Sequence, residues 1–319
     1  TTDGTLDAYY RLWQAARNGF GTDAAYYRVQ GLNPDRTPNP AYERLLDVDN
    51  LIDYMLCTFY AGDLDAPISN FLQNTRPNNF WAVYNRTTPD GFKFFRHDSE
   101  HTMLNVNENR TGPFSAGQQA QYFNPQWLHQ QLAVHAEYRM RFADHVYEHF
   151  FNDGVMTSEA AAGLLSLRRD SIDVAVIAES ARWGDAKVVR PRTRDDDWLP
   201  EVRFLFNDYL PRRTGIVLGQ FRAKGWYPNL DAPAFSRHGG AVNNGYSLTM
   251  TSAAGDIYYT LDGEDPRLPG GAINSLHATR YVGPVTLNRS TRVRARAFSG
   301  GAWSALHDAV FAVGPVAES

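Results

Sequence analysis

The apolar residues of this chain change their period part of the way along, and that change dictates two separately built units. As far as Phe221 they recur every three or four residues, the spacing of one helix face. Beyond it, residues 246–250, 257–261, 284–287, 291–298 and 308–313 alternate every second residue, the spacing of a half-buried strand. Turn formers such as Asp262-Gly263 and Ser299-Gly300-Gly301 separate those runs, so roughly the last 85 residues predict one small all-β sandwich. Residues 225–233 between them, rich in Gly, Pro and Asn, have the composition of a linker. The expected fold class is therefore α+β: a mainly helical domain over 1–228, a linker over 229–235 and a β-sandwich over 236–319. A chain of 319 residues, 43% of them hydrophobic, can bury two cores without disulfides or metals.

Within the sandwich, basic residues alternate with small or apolar ones from Arg292 to Arg296. That pattern predicts Val293, Ala295 and Ala297 inward and Arg292, Arg294 and Arg296 on the solvent face. Lys and Arg total 31 against 35 Asp and Glu, a net charge of −4, so no basic excess points to nucleic acid or anionic lipid. No apolar run approaches the ~20 residues of a membrane span. The polar start suggests that a signal peptide or upstream domains have been removed. The lone cysteine, Cys57, sits among helical apolar residues and is expected to be a small buried hydrophobe.

In the helical part, Asp47 is placed to cap a helix carrying Val48, Leu51, Ile52, Met55, Leu56 and Phe59, which stops near Gly62. An irregular stretch, 63–79, leads to apolar runs at 80–84 and 92–95 with turn formers at 85–91 between them, which predicts a β-hairpin. Helical spacing returns over 127–151, from Ser158 with Ser as cap, and over 198–210 and 214–221.

Chemistry concentrates around that hairpin. Asp65 follows a helix, Asn79 opens the first strand, and Asp98 follows the second. In a phosphotransferase, an Asp after a helix accepts the proton of the incoming hydroxyl, while an Asn and a second Asp hold Mg²⁺ against the nucleotide phosphates. Protein kinases use this order of catalytic Asp, Asn, hairpin and metal-binding Asp. Asn70, five residues after Asp65, competes with Asn79 for the metal role. Asn79 is preferred because it directly precedes the strand.

The segments Asp47-Val48-Asp49-Asn50-Leu51-Ile52-Asp53-Tyr54, Gly62-Asp63-Leu64-Asp65, Pro77-Asn78-Asn79-Phe80-Trp81 and Phe94-Phe95-Arg96-His97-Asp98-Ser99-Glu100 resemble the CotH (spore coat protein H) kinase family, an atypical protein-kinase-like group. The resemblance spans roughly residues 47–221 and implies a kinase-like C-lobe with ATP and Mg²⁺ or Mn²⁺. It makes Asp65 the base and Asn79, Asp98 and Glu100 the metal residues, with Glu100 the counterpart of the family's second acid. His97 stands where the family has Trp, and Glu100 where it has Asp. Only 64 residues precede Asp65, and they do not read as a complete β-rich N-lobe. Either the chain begins partway through a kinase domain, or nucleotide binding has been lost.

Downstream, Gly239-Gly240, Gly245-Tyr246, residues 257–267 and Ala302-Trp303-Ser304 look like the chitobiase/β-hexosaminidase C-terminal domain, an immunoglobulin-like accessory module. That resemblance implies a bacterial, extracytoplasmic setting: secreted or at the cell surface. The expected partner is a protein phosphoacceptor or a cell-surface polysaccharide. The alternative function is a non-catalytic surface or adhesion protein with a degenerate kinase-like scaffold.

Other readings are weaker. His97 and His101 are four apart but lack the His-Glu-x-x-His order of zinc proteases. His145 and His149 share a helix face, with no third ligand evident, so a structural role is expected for them. Tyr258, Tyr259 and Trp303 are candidates for a sugar-stacking platform, although core packing is the commoner use of such aromatics. As a glycosidase pair, Asp98 and Glu100 lie too close in sequence to flank a sugar. No nucleophile elbow, P-loop or dinucleotide fingerprint occurs.

Overall fold

The computed structural model describes residues 4–314; residues 1–3 and 315–319 of the expected domain ranges lie outside it. The chain is α+β, with helices and one hairpin first and the larger set of strands last. The helical unit comprises α1 (Asp7–Asn18), α2 (Asp23–Arg28), α3 (Val48–Ala61), the strands β1 (Phe80–Val83) and β2 (Lys93–Arg96), α4 (Pro125–Leu132), α5 (Ala136–Phe150) and α6 (Ser158–Trp183). It closes with α7 (Leu199–Phe204) and α8 (Leu210–Ala223). Wide π-type turns at Arg194–Trp198 and Leu205–Tyr209 make that last run one continuous helical path.

The centre of this unit is α3. Its first turn is capped by the Asp47 carboxylate, which accepts from the Asn50 amide at 3.1 Å, and Gly62 ends it in the left-handed region at φ 60°. Leu51, Ile52, Met55 and Leu56 are fully buried on it. The same helix positions the hairpin, because the Asn50 side chain accepts from the Phe94 amide at 2.6 Å and donates back to its carbonyl at 3.3 Å. β1 and β2 pair antiparallel with Phe80 opposite Arg96. Gly91, at φ 95°, lets the chain into β2 pass against the entry to α3, where any Cβ would lie 2.4 Å from the backbone of Leu46 and Asp47.

Two helices differ from their sequence expectation. The pattern over 127–151 is broken after Ala133, where His135 turns to extended backbone and the Arg139 guanidinium satisfies the carbonyls of Ala133 and Val134 at 2.8 Å each. The cap of α6 is Thr157 rather than Ser158, accepting from the Ala160 amide at 3.3 Å.

The β unit has strands β3 (Ala234–Phe235), β4 (Gly240–Val242), β5 (Tyr246–Leu248), β6 (Met250–Thr251), β7 (Asp256–Thr260), β8 (Thr279–Arg280), β9 (Val285–Leu287), β10 (Thr291–Ser299), β11 (Ala302–Trp303) and β12 (His307–Val313). The main sheet runs β4-β12-β10-β7-β8, with β11 paired to β10 and only the β12–β4 pair parallel. Two-stranded pairs β3–β6 and β5–β9 accompany it, and the core contains Leu248, Leu287, Val293, Ala295 and Phe311. Ala234 already pairs with Thr251, while Trp226 and Tyr227 are buried in the helical core.

The arginine expectation needs correction at one position. Val293, Ala295 and Ala297 do point inward, but the side chain of Arg296 is only 1% exposed, whereas that of Arg292 is 51% exposed. Alternation sets which face a residue takes, not what covers that face, and here α5 covers it. Arg296 donates to both carboxylate oxygens of Asp144 on α5 at 2.7 Å, and to those of Asp265 at 2.8 and 2.6 Å. Beside it, Arg267 makes a two-bonded pair with Glu137 of α5 at 2.7 Å each.

A third contact between the units is titratable. His307 on β12 donates through Nδ1 to the Pro233 carbonyl at 2.7 Å, stacks on Phe235 and lies 2.8 Å from His238 Nδ1 through its other nitrogen. Burial pushes this imidazole down to about 4, and burial also pushes His129, beneath α5 and bonded to Tyr138 at 2.8 Å, down to about 3. The unfolded chain takes up those protons near the ordinary histidine value, so it binds more protons than the native state below it. Stability should therefore fall as pH drops from about 6.5 to 4, by at most roughly 1.4 kcal/mol per pH unit for each histidine. Urea midpoints across that window check this, and His307→Gln, which keeps a donor but does not titrate, should flatten the slope.

Candidate functional site

The loop after α3 is built around two acids with different tasks. Asp63 is fully buried; its carboxylate accepts from the amides of Asp65 at 2.9 Å and Ala66 at 3.0 Å and pairs with the Arg96 guanidinium at the end of β2. Arg96 also reaches Thr58 Oγ1 at 3.2 Å, so one side chain ties the hairpin to the end of α3 and to the loop. Held this way, Asp65 turns its carboxylate toward the residues that open β1. One oxygen accepts from the Ser69 hydroxyl, and the other from the amide groups of Asn78 at 3.0 Å and Asn79 at 2.9 Å.

Asn79 is the bridge in this constellation. Its Nδ2 also donates to the main-chain carbonyl of Asp98 at 3.2 Å, which leaves Oδ1 as its remaining polar atom. Both Asn79 and Asp98 sit in the left-handed region at φ 48°, which Asn and Asp enter more readily than other residues with a side chain. Asp98 and Glu100 are exposed, and Glu100 lies 3.3 Å from His101 Nε2. Asn70 begins a short turn, Asn70–Leu72, and its side-chain Oδ1 accepts from Asn74 Nδ2 at 3.3 Å.

The structure thus joins Asp65, Asn79 and the backbone of Asp98, with Asn70 and Glu100 engaged elsewhere. Among the described residues, the set of His, Cys, Asp or Glu atoms lying within 4.8 Å of one another is Asp53, His145 and His149. Sequence reading passed over Ser69 and Asn78, both donors to Asp65. The Asn78-Asn79 doublet was the visible signal, two amide donors side by side directly before a strand.

The secondary readings are corrected by geometry. His97 and His101 lie in an irregular segment and pack on separate rings, Trp81 and Phe71, so they share no helix face. Trp303 is 4% exposed, donates to the Gly271 carbonyl at 2.7 Å and packs on Phe298, while Tyr259 packs on Tyr281. These aromatics form no common exposed platform. Cys57 is half-buried, and burial raises its thiol pKa.

Of the cavities along the described residues, two lie beside groups discussed above. One, of about 610 Å³, lies between α1 and β1 and is lined by Tyr9, Phe80, Trp81, Tyr84 and Phe92. The other, of about 690 Å³, lies where α5 meets the β unit, with His145, His149, Arg292 and Asp308 in its wall. Among the described residues, no helix is long and apolar enough to cross a membrane. No curated protein and no solved structure matches the chain. A family model described as Fn3 associated matches residues 247–306, so the C-terminal β unit carries an Fn3-associated module.

Proposed function

We propose that the loop and hairpin around Asp65, Asn79 and Asp98 form a CotH-like phosphotransferase site that moves the γ-phosphate of ATP to a hydroxyl of a protein acceptor. The observation that carries this reading is the Asn79 amide, which links the Asp65 carboxylate to the backbone of Asp98 while both Asn79 and Asp98 hold left-handed backbone. In the step itself Asp65 takes the proton of the acceptor hydroxyl, its oxygen bonds to the γ-phosphorus, and the bond from phosphorus to the β–γ bridging oxygen breaks to release ADP.

The donor set fits a hard cation. Asn79 Oδ1 and the exposed carboxylate of Asp98 would hold Mg²⁺ or Mn²⁺, with Glu100 as an outer acid, and hard oxygen ligands are what such ions take. When bound, the ion neutralises charge developing on the phosphate oxygens. The cavity between α1 and β1 shares β1 with the strand that Asn79 opens, and its size and aromatic wall suit a nucleoside.

A second reading, a non-catalytic surface scaffold, is favoured by one observation. Asp65 is 9% exposed and both its oxygens are already engaged by Ser69, Asn78 and Asn79, as expected of a loop staple. The β unit, read as the immunoglobulin-like accessory module of exported bacterial proteins, accompanies either reading. Phosphate transfer from labelled ATP to a basic protein mixture separates them. The kinase reading expects Mg²⁺-dependent incorporation that falls at least ~100-fold in Asp65→Asn. Equal incorporation in that variant, or none in the parent chain, favours the scaffold.

A further inference from the structure

His145 and His149 stand one turn apart on α5, and sequence showed no third ligand for them; the structure supplies one from α3. Asp53 Oδ1 lies 2.7 Å from His145 Nδ1 and 3.2 Å from His149 Nε2. Two imidazole nitrogens thus converge on one carboxylate oxygen. Donor atoms around a tetrahedral zinc lie roughly 3.3 Å apart when each is about 2.0–2.1 Å from the metal. The His149 distance already has that value, and the His145 distance reaches it by opening about 0.6 Å.

The outer shell is also in place. His145 directs its other nitrogen, Nε2, to Asp49 Oδ1 at 3.0 Å, and Arg141 fixes that carboxylate through two bonds of 2.5 Å. A carboxylate behind a ligating imidazole sets its tautomer and strengthens it as a ligand. Asp49 and Asp53, four apart on α3, therefore divide the work: one ligates and the other orients. The group is not sealed, since Asp53 is half-exposed and both histidines line the cleft of about 690 Å³ between α5 and the β unit.

We propose that Asp53, His145 and His149 bind a divalent ion of the zinc class, with its remaining position open to the cleft. Two imidazoles and one carboxylate suit zinc, cobalt or nickel rather than magnesium, which takes oxygen ligands. This site is separate from the Asp65 constellation and does not depend on its function.

The test uses the full chain, freed of metal with a chelator, titrated with Co²⁺ by visible absorption and with Zn²⁺ by calorimetry. One ion per chain is expected, with the intense visible bands of low-coordinate cobalt. His149→Ala, whose side chain meets the cluster only at its edge, should abolish those bands with circular dichroism unchanged. Asp49→Asn should weaken binding roughly tenfold or more. Asp98→Asn should keep the intense cobalt bands, because the oxygen ligands around Asp98 include no imidazole. Absence of the bands in the parent chain, parent-like binding in His149→Ala, or loss of the bands in Asp98→Asn would overturn the assignment.

Discussion

Replacing Arg296 with methionine should destabilise the protein by about 3 kcal/mol and loosen the β unit from the helical unit. One buried guanidinium neutralises Asp144 from α5 and Asp265 from the β7–β8 connection, and it also donates to the Ser304 carbonyl at 3.0 Å. Without it, two carboxylates face each other across the junction, and Asp265 keeps only Arg267, whose main-chain amide already donates to it at 2.9 Å. The attraction between opposite charges at such a site is weak evidence of net stability, but removing one partner is costly because the other stays buried and charged. Urea unfolding should show a lower midpoint and a split into two transitions, since Arg267–Glu137 and His307 are then left to join the units. Adding Asp144→Leu and Asp265→Leu to the variant should restore much of the loss, with the Leu306 amide, now bonded to Asp144 at 2.8 Å, left as the residual cost. A single transition at the parent midpoint in Arg296→Met would show that the junction does not depend on this residue.

The second large effect is expected at Arg213 of α8, which is fully buried yet faces carbonyls rather than acids. Its guanidinium donates to Tyr60 at 2.8 Å, to Val106 at 2.6 Å and Glu108 at 2.8 Å, and to the Phe59 carbonyl. It therefore closes the C-terminal end of α3, where the helix dipole favours a cation, one turn before the Asp63–Asp65 loop. Arg213→Met should cost about 3–5 kcal/mol, because several buried carbonyls lose their donor together. The loss is limited by Tyr209, which also donates to the Tyr60 carbonyl at 2.7 Å. Hydrogen exchange resolves the local part: amides of Gly62 to Asp65 should lose protection before those of the β unit. Uniform loss across both units would mean that Arg213 supports the global fold rather than this loop.

Much of the architecture was legible because it is written in local pattern. Asp47, the apolar spacing from Val48 and Gly62 mark both ends of α3, and the turn formers of 85–91 between two apolar runs mark the hairpin. The period change marks the start of the β unit. Hidden were the facts that depend on which surfaces meet. Arg296 alternates with Arg292 and Arg294 as a solvent-facing residue would, and only the docking of α5 buries it. His145 and His149 declare a common face, but Asp53 lies more than 90 residues away in sequence, four residues after Asp49, and nothing local links the pairs. At the Asp65 constellation the reading of order found Asp65, Asn79 and Asp98. The hydroxyl of Ser69 and the amide of Asn78 emerge only once the loop folds back on itself.

The central claim is that Asp98, with Asn79, holds a metal-bound nucleotide beside Asp65. Calorimetric titration of the full chain with ATP, with Mg²⁺ present and then absent, and repeated on Asp98→Asn, tests it most directly. The expected result is binding that requires Mg²⁺ and disappears in the variant, because loss of one anionic ligand weakens the ion that bridges protein and phosphates. Binding that is indifferent to both Mg²⁺ and the substitution, or no binding at all, would contradict it.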